Sequence, residues 1–76
     1  MSNDEIKKEL VSLIKTKTKI KVETNSTLKD LNIDSLDILG LIVEVENKFS
    51  INFTDDEIMG LKSVNDIINH IIKEKK

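Results

Sequence analysis

The sequence predicts an all-α fold: a small antiparallel four-helix bundle, three main helices plus one short, with a long loop after the first helix. Three observations support this. Apolar residues recur at helical spacing in two long stretches, Ile6-Leu10-Leu13-Ile14 and Ile38-Leu41-Ile42-Val45-Phe49. Helix-opening side chains stand before each helical segment, at Ser2, Asp34, Thr54 and Ser63. Proline is absent and glycine occurs only twice, too little turn chemistry for a domain built of hairpins. With 76 residues there is room for one domain, spanning 1–76, and one modest core, so a cleft between two lobes is not expected.

The elements follow in order. Ser2-x-x-Glu5 has the form of a capping box and opens a helix that runs to about Lys15. From Thr16 to Val22 lysines alternate with Thr and Ile, a pattern a strand could have, but no second alternating run exists to pair with it. The segment is therefore read as a solvated loop continuing to about Asp34, with turn chemistry at Thr24-Asn25-Ser26-Thr27 and with Leu28 and Leu31 pinning it to the core. The second helix begins at Asp34 or Ser35 and ends near Phe49. Asp34 is its N-cap, and Asp37 lies in the first turn, where negative charge suits the helix dipole. Thr54-x-x-Glu57 opens a short third helix. Ser63 precedes the fourth, which carries Val64, Ile67, Ile68, Ile71 and Ile72.

Composition narrows the function classes. There is no cysteine, hence no disulfide frame, thiolate nucleophile or cysteine-ligated metal. No apolar run approaches the ~20 residues of a membrane span, and the opening Met1-Ser2-Asn3-Asp4-Glu5 is unlike a signal peptide, so a soluble cytoplasmic protein is expected. Charge is segregated along the chain. Residues 1–29 hold seven lysines and four acids, 30–66 hold nine acids and two lysines, and 67–76 hold three lysines and one acid. Arginine is absent, and the acidic middle is a poor surface for nucleic acid but a good one for basic proteins.

Asp34-Ser35-Leu36 is the candidate site. Beside the core-facing arc of the second helix, Leu36, Leu39 and Val43 form a further apolar seam near Ser35. Either the bundle core takes up both seams, or the second is a docking ridge next to a modifiable serine, flanked by Asp34, Asp37, Glu44 and Glu46. A catalytic role for Ser35 would need an adjacent base, and the one histidine, His70, lies near the other end of the chain, where a surface or core-edge place is expected. No catalytic residue is assigned. Asp30-x-Asn32-x-Asp34 begins like a calcium-binding EF-hand loop, but Ser35 replaces the required Gly and Leu41 the required Glu. No metal site is expected.

Leu31-Asn32-Ile33-Asp34-Ser35-Leu36-Asp37 resembles the Leu-Gly-x-Asp-Ser-Leu-Asp signature of the acyl carrier proteins. The similarity continues through residues 41–49, Ile51-x-Phe53, Asp55-Asp56-Glu57 and Ser63-Val64-x-Asp66-Ile67-Ile68-x-x-Ile71, nearly the whole chain. The resemblance implies a non-enzymatic carrier whose Ser35 receives 4'-phosphopantetheine from coenzyme A by the action of a phosphopantetheinyl transferase. Asp34 would help hold the magnesium of that reaction. It further implies that Leu36, Leu39 and Val43, with acidic Asp37, Glu44 and Glu46, meet the basic docking surfaces of acyl-loading and acyl-using synthases, that the carrier is a monomer, and that its acyl cargo lies between the helices. The cargo would be an intermediate of fatty acid or related acyl synthesis. A carrier of an aminoacyl, peptidyl or polyketide chain is the alternative, and an unmodified acidic interaction module is a second one.

Two residues depart from the family pattern. Asn32 stands in place of Gly, and Asn is the next best residue at a left-handed backbone position. Gly40 stands where many relatives carry a Glu that contacts basic partners.

Overall fold

The computed structural model describes residues 2–75 and contains four helices, α1 (Asn3–Lys15), α2 (Ser35–Phe49), α3 (Asp55–Met59) and α4 (Val64–Lys75). Each begins where a side chain can take over an unpaired backbone N–H. Ser2 accepts from the Glu5 N–H, and Asp34 accepts from the Asp37 N–H at 2.9 Å. Thr54 and Glu57 form a reciprocal capping box. At α4, Ser63 Oγ accepts from the Asp66 N–H while the Asp66 carboxylate accepts from the N–H groups of Lys62 and Ser63. Each such cap contributes about 1 kcal/mol. α2 ends in a left-handed residue, Ser50 (φ 55°), whose N–H returns to the Glu46 carbonyl.

α1 packs against both α2 and α4. The core between them holds Ile6, Leu10 and Ile14 from α1, Leu41, Ile42, Val45 and Phe49 from α2, and Val64, Ile67, Ile68 and Ile71 from α4. The long first loop is solvated only in part. Leu28 and Leu31 are buried as expected, and Val22 and Ile33 join them. The loop is braced by the Thr18 hydroxyl, which donates to the Leu31 carbonyl at 2.8 Å, and by backbone bonds from Leu28 N–H to the Lys62 carbonyl and from Val64 N–H to the Ser26 carbonyl. The lysine-alternating run forms no strand.

Ile38 differs from the expected core arc. It is only partly buried, because it lies in the first turns of α2, where it lines open hollows with Leu28, Ile58 and Leu61 and is not enclosed by the core.

Candidate functional site

Ser35 is the first residue of α2 and is exposed. What fixes its position lies immediately before it. Leu31 and Ile33 are buried at 1% and 6% exposure, and Asn32 between them takes the left-handed conformation (φ 57°) that the sequence called for at this turn. Two anchored aliphatic side chains and one sharp turn thus set the backbone that delivers Asp34 and Ser35 to the surface. The Leu31, Asn32 and Ile33 N–H groups bond back to the carbonyls of Thr27, Lys29 and Leu28, which closes the turn.

The helix start does not form an open anion site. The Asp34 carboxylate already accepts from the Asp37 N–H, and it brings a negative charge of its own. A free phosphate would be repelled there. One bound covalently to Ser35 Oγ would still gain from the partial positive charge of the helix N-terminus.

Beside Ser35 lies an apolar groove of about 320 Å³, lined by Ser35, Ile38, Leu39, Ile58, Met59 and Leu61. Ile38 and Leu61 are shared with a second hollow of about 350 Å³, reached past Thr27, Leu28 and the lysines at 29 and 62. The partial burial of Ile38 is what makes this surface available.

Exposure rules out one of the two readings of the second seam. Leu36, Leu39 and Val43 are 79%, 49% and 54% exposed, so the bundle core does not take them up. Met59 of α3, 81% exposed, extends the apolar patch across the groove. Nothing in the periodicity of a five-residue helix could have picked it out.

The three acidic residues of α2 named from the sequence are not equivalent. Asp37 is exposed. Glu44 is exposed and pairs with Lys17 at 3.4 Å. Glu46 is turned inward, where its carboxylate accepts from the Phe53 N–H at 2.8 Å and ties the α2–α3 connection to the helix.

A family profile described as "Phosphopantetheine attachment site" matches residues 8–71, which include this whole arrangement. The chain belongs to the acyl carrier protein family. An acyl carrier protein of Chloroherpeton thalassium is 40% identical over 81 residues, with both chains covered in full. Among solved structures, an acyl carrier protein of Thermotoga maritima matches with TM-score 0.83 and 27% identity, over 99% of this chain and 92% of its own. A Toxoplasma mitochondrial acyl carrier protein shares the fold, with TM-score 0.89 at 18% identity over 97% of this chain and 91% of its own. The protein is thus an acyl carrier, not an enzyme, and its prosthetic group is phosphopantetheine. As a family member it interacts with a phosphopantetheinyl transferase and with synthases. Among the described residues no helix is long and apolar enough to cross a membrane.

The residues around Ser35 fit that group. Ser35 is exposed, and an apolar groove begins beside it.

Proposed function

We propose that this acyl carrier protein carries its 4'-phosphopantetheine on Ser35 Oγ as a phosphodiester and serves fatty acid or related acyl synthesis. The observation that carries the reading is the joint placement of an exposed helix-start serine, an apolar groove at its side and an uncovered apolar seam on the same helix. When bound, the group supplies a thiol that forms a thioester with the cargo. The chain's own residues do the rest. Asp34, the residue before Ser35, would help hold a divalent ion during transfer. Leu36, Leu39 and Val43 offer apolar contact to a partner, each worth about 1.5–3 kcal/mol if fully buried there. Asp37 and Glu44 steer that partner through a complementary basic surface. Ile38, Ile58 and Leu61 give an aliphatic cargo a place out of water.

Gly40 supports the alternative of a more specialised acyl pathway. It is exposed, and a side chain added there would meet nothing within 4 Å, so the missing carboxylate is not required by packing. Incubation with coenzyme A, magnesium and a broad-specificity transferase tests the carrier reading by intact mass. One phosphopantetheine per chain, followed by loading of a fatty acyl group, is expected. Loading by aminoacyl ligases alone would favour a peptide-type pathway, and no mass gain would leave an unmodified interaction module.

A further inference from the structure

The His70 side chain is only 9% exposed. The ring stacks on Phe53, with centroids 4.0 Å apart and planes inclined by 27°. Around its edge stand acceptors. Nδ1 lies 3.2 Å from Glu57 Oε2, and Nε2 lies 3.2 Å from the Asn52 carbonyl oxygen and 3.5 Å from Glu74 Oε1. A neutral imidazole has one N–H to give. With that hydrogen on Nδ1, donated to Glu57, the Nε2 lone pair faces the Asn52 carbonyl oxygen; with it on Nε2, donated to that carbonyl, the Nδ1 lone pair faces a carboxylate oxygen. That contact is attractive only if something positive occupies it, either a second proton or a metal ion.

Several features favour a metal ion. Glu57 is held in place because its Oε1 accepts from the Thr54 N–H at 2.8 Å, which leaves Oε2 toward His70. Two ligands at about 2.0–2.1 Å from a tetrahedral zinc ion are about 3.3–3.5 Å apart, close to the separation of Nδ1 and Oε2. An Nε2–H given to a backbone carbonyl is the usual way in which a ligating histidine is fixed in tautomer and orientation. Glu74, one turn further along α4, is exposed, and one ligand atom from each of Glu57, His70 and Glu74 lies within 4.8 Å of the other two.

We propose that Glu57, His70 and Glu74 bind one divalent cation of borderline softness, Zn²⁺ in the first instance, through His70 Nδ1 and the two carboxylates. Imidazole with carboxylates suits such an ion better than Mg²⁺ or Ca²⁺, which take oxygen ligands. The site runs against the sequence expectation of no metal, since its ligands are 13 and 4 residues apart and carry no motif. Its consequence would fall on the groove. α3 has no buried residue of its own, and its Ile58 and Met59 line the groove beside Ser35, so an ion joining Glu57 to α4 would fix that wall.

Calorimetric titration of Zn²⁺ into the full, tag-free chain tests the proposal, with Mg²⁺ as the oxygen-preferring control. Any phosphopantetheine thiol is first capped by acylation so that no sulfur competes. The expected result is one Zn²⁺ per chain, with the ¹⁵N shifts of His70 showing Nδ1 metallated and Nε2 protonated. His70→Gln and Glu57→Gln should each weaken binding at least tenfold, and Glu74→Gln several-fold. Glu57→Gln keeps an acceptor for the Thr54 N–H, and thermal unfolding of each variant separates loss of ligand from loss of fold. Absence of Zn²⁺ binding, or undiminished binding in His70→Gln, would overturn the proposal. So would ¹⁵N shifts of an imidazolium that Zn²⁺ does not alter, which would put a proton in the contact.

Discussion

The Glu46 carboxylate accepts a hydrogen bond from the backbone N–H of Phe53 at 2.8 Å, and it separates this residue from the other acids of α2. Phe53 is 8% exposed and packs in the core, so its N–H has little access to water once Glu46 is gone. Glu46→Ala should destabilise the fold by about 1–3 kcal/mol, the range for a buried donor left unpaired. Glu44→Ala loses only an exposed ion pair with Lys17 and should cost less than about 1 kcal/mol. Denaturant unfolding of both variants measures the difference, and equal losses would remove the structural role of Glu46.

Gly40 is the clearest place to stabilise the protein. It is a mid-helix glycine whose Cβ position is open, so the helix propensity difference is not offset by a clash. Gly40→Ala should raise stability by about 0.5–1 kcal/mol. Gly40→Glu should gain less, because it adds charge near Asp37 and Glu44, and should alter which synthases accept the carrier. A destabilised Gly40→Ala in urea unfolding would contradict the placement of this face.

Partner docking should separate into apolar and electrostatic parts. Leu39→Ala should change folding stability by less than about 0.5 kcal/mol, since the side chain is about half exposed, yet weaken a cognate synthase by more than about 1 kcal/mol. Glu44→Lys should slow association, and the effect should fade as salt rises, with screening over about 10 Å at 0.1 M. Lys17→Ala, which frees Glu44 from its ion pair, should do the opposite. On-rates measured across a salt series check the two charge variants, and denaturant unfolding with equilibrium binding checks Leu39→Ala.

Much of this was legible in the sequence because it is local. The caps at Ser2, Asp34, Thr54 and Ser63 are contacts over three residues, and each forms. The left-handed turn at Asn32 is likewise a property of one residue. The arc of α2 followed helical spacing except at Ile38, whose exposure depends on how the first loop, α3 and Leu61 sit around it, a quantity that periodicity does not carry. Val22 and Ile33 are buried from within a loop, where no repeat marks them. Glu46 and Glu44 look alike as letters, and only the position of the Phe53 amide, seven residues away, tells them apart. His70 could be placed at a core edge, but its partners Glu57, Phe53 and Asn52 reach it only through the fold.

The capping of α3 should respond to acid. The Glu57 carboxyl is held below the usual carboxylate range chiefly by the Thr54 N–H, with the Thr54 hydroxyl, His70 and Lys73 acting in the same sense and partial burial opposing them. A depressed folded-state value means that this contribution is complete above the unfolded carboxylate range and is lost as pH falls through the folded one. The Thr54 amide shift, followed by NMR during acid titration, should therefore move with a midpoint below the ordinary range for glutamate. In Glu57→Gln that titration should be absent. A midpoint in the ordinary range would show that the cap does not favour the ionised form.

The central claim is that Ser35 alone carries the prosthetic group, and site-resolved mass spectrometry after treatment with coenzyme A, magnesium and a phosphopantetheinyl transferase tests it most directly. The wild-type chain should gain one phosphopantetheine on the peptide containing Ser35, and Ser35→Ala, which removes only an exposed hydroxyl and should fold normally, should gain none. A full increment on Ser35→Ala, or one mapped to another residue of the wild type, would contradict the account.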